Sequence, residues 1–512
     1  MTNEGSSRGS QWKGTDYIPL LTQDELNEEP RYSDELTLPL SDEELNSSDE
    51  KTYLQEPLSP TRIVLQKALS YLVAFLRALI PSYVYLFSKK GERKLRSTSG
   101  LDGLRGLAAL FVTASHYLSL FTRPNDGWIP GVKETEKVWN LPIIRFFYTG
   151  PSMVFIFFVI SGYVLSLKSV KHTRQRDWGA LLSTLSSTTF RRGIRLYGPS
   201  VAILVILCLL AKMGFFMPAR SNSKILNMDL RFLPEPKPWG EQLLHLFYAV
   251  LDFVNVWKQP GRLMEDMDSS LWTIRVEFKG SLVLFMLILG TCKLKPGLLR
   301  KAILGACLAH QVFYQQWDTV LFFCGFLLAD FDTPHTIIKE PEAPVKQTTK
   351  QHIFWVFVIL TGMWFCSSPT KEPHRSWGYV WITPIARFLY YSEPNRFWPS
   401  VGSVILVCAA NRSDLFKRFL NTRIVQYLGD VSFSIYLIHF PFLRAFAFWF
   451  ISEVVKLTHP GGFWGWFLID IAYLLSLVLI FTLGDLVWRY IDVPCVNFAR
   501  WLETQVVLKD GE

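Results

Sequence analysis

Arg105 and His116 lie in one apolar stretch, LDGLRGLAALFVTASHY at residues 101–117, with ten residues between them. On a helix, eleven steps of about 100° return to within about 20° of the start and rise about 16 Å. The two side chains therefore share a face, the arginine near one end and the histidine deep in the apolar run. A histidine there is uncharged at little cost and can accept a proton near neutral pH, which suits a general base. A structural reading stands beside it, in which His116 bonds between helices and Arg105 snorkels to the interface.

Three further groups carry polar chemistry into apolar surroundings. Glu277, in LWTIRVEF, sits some six residues into an apolar segment, where a solitary carboxylate is expensive unless paired or protonated. Arg275 and Lys279 stand two residues away on the same helix and do not face it, so a partner on another helix or a substrate hydroxyl is implied. Tyr436 and His439, three apart in SIYLIHFPF, share a face, with Pro441 just beyond to kink the helix. His439 is the second candidate for acid, base or hydroxyl contact, the alternative being an interhelical hydrogen bond. In FFVISGY, residues 157–163, Gly162 permits close helix approach, while Ser161 and Tyr163 bring hydroxyls into the bundle.

The elements that must position these residues belong to a membrane. Of 512 residues 49% are hydrophobic and only 19% charged, with mean hydropathy +0.19, more apolar than one water-soluble core requires. Ten segments of roughly membrane-crossing length are expected, at about 101–121, 147–168, 198–217, 271–291, 302–316, 317–331, 352–368, 398–411, 424–450 and 463–488. Segments 242–256 and 377–391 are apolar enough to be re-entrant or interfacial. The expected fold is all-α: a polytopic membrane bundle of about ten transmembrane helices.

Charge orders the rest of the chain. Residues 1–60 hold fourteen Asp/Glu against four Lys/Arg, an excess of ten that leaves +19 on the remainder against +9 overall. This acidic, Ser-rich stretch is expected to be a disordered cytoplasmic tail, and its DYIPLL, Asp16 to Leu21, has the pattern of a sorting signal that also arises by chance. Residues 61–100 are expected to form an amphipathic interfacial helix and a basic linker, because Lys67 and Arg77 fall in the middle of the apolar run 62–88. The membrane domain then covers 101–495, and 496–512 form a cytoplasmic tail. Lys and Arg concentrate on alternate connections: SKKGERKLRS before the first span, then Lys168 to Arg195, Lys293 to Lys301, and residues 412–423. That alternation puts both termini in the cytoplasm and leaves the organelle open between endomembrane and plasma membrane. No compact basic domain fits nucleic acid, and the seven scattered cysteines fit neither a zinc site nor a disulfide framework, so no metal is expected. The two halves show no repeat of each other, which counts against a two-fold transporter.

Arginine, ten residues and histidine in the first membrane helix resembles the signature of the acyltransferase-3 family of membrane acyltransferases. FFVISGY at 157–163, RRGIRLYGP at 191–199, LWTIRVEF at 271–278 and LGDVSFSIYLIHFPF at 428–442 follow in the order that family shows. The resemblance covers roughly residues 101–495. It implies transfer of an acyl group, often acetyl, from acyl-CoA to an acceptor hydroxyl, with His116 as catalytic base and Arg105 beside it. Acyl-CoA is then a co-substrate, with no cofactor permanently bound, and the partners are the bilayer and a hydroxyl-bearing glycan, lipid or other small molecule. Arg192 and Arg195, three apart, are candidate ligands for coenzyme A phosphates, or else topology charges. Ser161 is a candidate to position the thioester, and Ser161, Tyr163 and Tyr436 are available as oxyanion donors. Glu277, Tyr436, His439 and Tyr163 are the candidate contacts to the acceptor. The alternative function is a proton-coupled transporter that titrates His116 and Glu277.

Overall fold

The computed structural model describes residues 69–71, 73, 76–85, 95–122, 125–223, 234–257, 267–333, 347–458 and 462–507. The expected acidic tail, with its DYIPLL, lies outside these residues, as do the start of the interfacial segment and residues 508–512. Among the described residues the fold is all-helical, and Asp126 and Lys371 form an isolated bridge.

Among the described residues after 95, eleven helices of ten residues or more build the bundle: α1 (Ser99–Leu118), α2 (Gly150–Gln175), α3 (Trp178–Lys212), α4 (Trp239–Val254), α5 (Trp272–Thr291), α6 (Leu298–Phe313), α7 (Trp317–Asp332), α8 (Thr349–Cys366), α9 (Phe397–Arg412), α10 (Arg423–Leu457) and α11 (Phe463–Val506). Each of the ten segments assigned from hydropathy is occupied by a helix; α4 is the apolar segment expected at 242–256. Among the described residues four helices, α2, α3, α10 and α11, are long and apolar enough to cross a membrane. The other six segments hold helices of 16 to 20 residues, about 24–30 Å long. Their outward side chains are large and apolar, among them Met286, Leu289, Phe313, Phe331, Ile353 and Phe357. Such a surface suits lipid rather than water.

Four helices run past the expected limits, α2 by continuing to Gln175. α3 begins at Trp178, where Asp177 caps it by accepting from the Ala180 amide, so Arg191, Arg192 and Arg195 lie on the same continuous helix as the apolar run expected to start at 198. α10 and α11 each continue through a π-helical segment, Leu443–Ala447 and Trp488–Asp492. Each segment lies beside a proline, Pro441 or Pro494, whose missing N–H loosens the ladder. Residues 496–506, expected as a tail, are therefore helical, and Glu503 pairs with Arg191 at 3.1 Å.

Small residues set the two tightest crossings. A Cβ on Gly106 would overlap the backbone of Leu428 and Gly429, and one on Gly429 would meet the Asp102 carbonyl, so α1 and α10 touch backbone to backbone and run in the same direction. Gly162 on α2 meets the backbone of Phe322 on α7, while Gly325 meets that of Val159, in the close approach expected of Gly162. Around these crossings the core is filled by Leu101, Val112, Ile156, Phe158, Leu321, Val431 and Leu437, all 1% exposed or less. On the side where α2 and α7 end, Asp330 takes ion pairs from Arg174 (2.8 Å) and Arg300 (2.7 Å), tying α2, α6 and α7 together.

Residues 76–85 dock on α11. The Ser82 amide donates to Asp485 Oδ2 at 3.1 Å, the Tyr427 hydroxyl donates to Asp485 Oδ1 at 3.1 Å, and Arg489 donates to the Ile80 carbonyl at 3.1 Å. Asp485 is fully buried and held by Arg489 at 2.8 Å, so this segment is hydrogen-bonded into the bundle itself.

Candidate active site

Ten residues beyond the Gly106–Gly429 contact, about 15 Å along each helix, stand His116 and His439. Their ring centroids are 5.2 Å apart, and the edge of Phe440 meets the His116 ring at 5.1 Å. His116 is half-buried and, among the described residues, has ring contacts but no hydrogen bond to either nitrogen. His439 is fully buried. Its Nδ1 lies 2.7 Å from the Tyr436 carbonyl, an acceptor, which assigns the proton to Nδ1 and the lone pair to Nε2. Nε2 has no partner among the described residues. The interhelical bond anticipated for His439 is thus replaced by one to its own helix, three residues back.

Below the histidines the three polar segments meet. Glu277 Oε1 accepts from Ser161 Oγ on α2 and from Arg192 Nη2 on α3, both at 2.9 Å, and Arg192 Nε donates to Ser281 at 2.9 Å. The partner required for Glu277 is therefore Arg192. Arg275 and Lys279 turn elsewhere, to Asp252 at 3.9 Å and Asp318 at 2.7 Å. Arg192 is correspondingly spent: it is an inward ion-pair partner rather than an open phosphate ligand, although Arg195, one turn on, is exposed. Arg105 donates to Ser432 Oγ (3.0 Å) and the Gly429 carbonyl (3.1 Å) and pairs with Asp102 at 3.5 Å. Arg105 and Arg195 both act electrostatically on Asp492, in the π segment of α11. Three arginines from two helices thus converge on the side of the site away from the histidines.

The hydroxyls expected as oxyanion donors are already engaged. Ser161 donates to Glu277; Tyr436 donates to the Ser270 carbonyl at 3.0 Å and accepts from Thr273 at 2.7 Å. Tyr163 donates to Asp332 at 3.0 Å, in a separate cluster with Asn411 and Arg412 on α9, and does not join the histidines.

Two residues were missed by sequence reading. Asp268, 1% exposed, precedes α5; its Oδ1 accepts from the Ser270 amide (2.8 Å) and hydroxyl (2.7 Å), while Oδ2 has no partner among the described residues. An Asp two residues before a Ser at a helix entrance is a legible capping signal, but its unused oxygen is not. Lying outside the spanning helices, Asp268 is pushed up to about 7 by burial, against the hydrogen bonds from Ser270 and the charge of Arg444, which lower it. Arg444, on the π segment of α10, packs over Phe440 at 4.6 Å, on the ring that meets His116. Among the described residues no cluster of three His, Cys, Asp or Glu could hold a metal, and all seven cysteines are free.

A family model described as an acyltransferase domain matches residues 98–485. The O-acetyltransferase PaAT-1 of Phomopsis amygdali is 29% identical over 438 residues, covering 80% of this chain and 85% of its own length. The acyltransferase clz18 of Cochliobolus lunatus is 26% identical over 401 residues, covering 68% of this chain and 83% of its own. No solved structure matches the chain.

Proposed function

The chain belongs to the acyltransferase-3 family, and from that membership we propose that it transfers an acyl group, acetyl in the first instance, from acyl-CoA to a hydroxyl of a glycan, lipid or other small molecule. The observation that carries the reading is His116, half-buried and free of hydrogen-bond partners among the described residues, on one helix face above Arg105. His116 takes the proton of the acceptor hydroxyl as its oxygen attacks the thioester carbonyl. The new C–O bond forms, the C–S bond breaks, and the proton passes to the departing thiolate, leaving coenzyme A as the free thiol. Arg195 and Arg105 face the anionic end of the donor, because guanidinium forks match phosphates.

Arg192 acts differently from a phosphate ligand. It holds Glu277, and with Ser161 it fixes the floor of the site. That ion pair also weighs against a proton-coupled transporter, since Glu277 is already bound by Arg192 and Ser161. The bundle crosses the membrane ten times with both termini cytoplasmic, so acyl-CoA enters on the arginine side; the alternation of basic connections supports this.

Full-length protein in lipid nanodiscs, supplied with acetyl-CoA, should release coenzyme A thiol only when an acceptor from a broad hydroxyl panel is added. Binding of coenzyme A without turnover across that panel would mean a sensor that shares only the fold.

A further inference from the structure

Two buried polar atoms near Tyr436 are left without partners among the described residues, and both are acceptors when the Asp268 carboxyl is ionised. One is the Nε2 lone pair of His439, the other Oδ2 of Asp268. Their side chains are respectively 0% and 1% exposed. A buried acceptor without a partner is costly, more so where the group is charged, so two together call for an explanation. Tyr436 links them. Its carbonyl accepts from His439 Nδ1, its ring centroid lies 5.3 Å from that of His439, and its hydroxyl bonds the carbonyl of Ser270, whose own amide and hydroxyl bond Asp268.

We propose that Asp268 and His439 form an acceptor subsite for a compound with an apolar skeleton and at least two hydroxyls, one reacting at His116 and another held by Asp268. The proposal rests on the acyl-transfer reading and names the substrate class for it. Polarity gives the class: two orphaned acceptors are satisfied by donors, and hydroxyl groups are the donors an acyl acceptor brings. The walls give the skeleton, since Phe440 flanks His116 and Phe157 meets Tyr436 at 6.0 Å. Polar positions are few and surrounded by aromatic rings, as in sites that orient an apolar ligand by a small number of hydrogen bonds. Among the described residues Asp268 bonds Ser270 and His439 bonds Tyr436, while Arg192 bonds Glu277, so the subsite groups are separate from that ion pair.

Decane-1,2-diol, decane-1,3-diol and decan-1-ol serve as probes, because they share an apolar chain and differ in the second hydroxyl. Thermal unfolding of the full-length protein in nanodiscs is followed against the concentration of each at about pH 8.5, where the Asp268 carboxyl is ionised. At least one diol should stabilise at roughly tenfold lower concentration than decan-1-ol, the order expected for one hydrogen bond to a charged acceptor. Asp268→Asn keeps the shape and the Ser270 contacts but turns Oδ2 into a donor, and it should remove that preference. Equal stabilisation by all three compounds in the unsubstituted protein, or a preference that survives Asp268→Asn, overturns the subsite. The unsubstituted comparison decides even where the variant fails to fold. Acetyl-CoA turnover is measured separately: loss of transfer with the diol preference intact would sink the enzymatic reading and leave the subsite standing.

Discussion

Gly106 of α1 and Gly429 of α10 meet with no room for a Cβ on either, and this contact fixes the register that brings His116 to 5.2 Å from His439 ten residues further on. Gly106→Ala should therefore lower both stability and activity, although neither histidine is altered. The atoms in the way are backbone, which cannot rotate aside, so the helices must part; overpacking of this kind costs about 1–3 kcal/mol. Gly305→Ala on α6 is the control, since a Cβ there meets nothing within 4 Å. That change should be neutral or stabilise by up to about 1 kcal/mol through helix propensity. Melting temperature in detergent and coenzyme A release, measured on both variants, check the contrast; equal effects would show that the crossing does not set the site.

Arg192 and Arg195 should separate in kinetics, because one is bound to Glu277 at 2.9 Å and the other is exposed. Arg195→Gln is expected to raise KM for acyl-CoA with little change in kcat, as when uniform binding is lost. Arg192→Gln strands a buried carboxylate and should cost about 3–5 kcal/mol of stability. Adding Glu277→Gln removes the stranded charge, so the double variant should be more stable than Arg192→Gln alone. A double variant less stable than either single one would mean that the pair is not coupled.

Asp268 predicts a pH dependence of stability. Its folded pKa, raised by burial to about 7, exceeds the unfolded value, so between the two the folded protein binds the extra proton. Stability from this group is complete below the unfolded pKa and is lost as pH rises through about 7. Arg444 and the Ser270 donors face the carboxyl and oppose the shift, which they reduce without reversing. Asp268→Asn, an uncharged isostere, should melt close to the parent at pH 4 and above it at pH 8, by a margin on the order of 4 kcal/mol before relaxation. A margin independent of pH would show that Asp268 is solvated.

The helices were legible because each contains a mostly apolar run, and the need of Glu277 for a partner was legible because a lone carboxylate is too costly there. The identity of that partner was not. Arg192 looks like a surface charge until α3 is seen to start at Trp178, which puts the arginine inside the bundle, where it is paired to Glu277. Ser161, Tyr163 and Tyr436 read as free hydroxyls because a sequence gives donors and acceptors but not their directions; each proves to donate to a neighbour. The same blindness hid Asp268 Oδ2 and His439 Nε2, whose distinction is a bond they lack. The π segments were hidden as well, since Pro441 and Pro494 mark a weakened ladder without saying that the helix absorbs one and continues.

His116→Gln gives the sharpest test of the chemistry. Glutamine keeps a side chain able to hydrogen-bond between helices but cannot take the proton, and the His116 ring makes no hydrogen bond among the described residues that would be lost. Folding should therefore be retained. Losing a general base typically costs about 100-fold to 10,000-fold, so acyl transfer should fall by at least two orders of magnitude while coenzyme A still binds through the arginines. His439→Gln should fall less, because the ring is fixed through Nδ1 to Tyr436 and its Nε2 is assigned to the acceptor, so the change should appear chiefly in KM for that substrate. The reverse order, near-normal turnover by a well-folded His116→Gln protein and collapse in His439→Gln, would move the base to His439. Its Nε2 already carries the lone pair that role requires, in a ring centred 5.2 Å from that of His116.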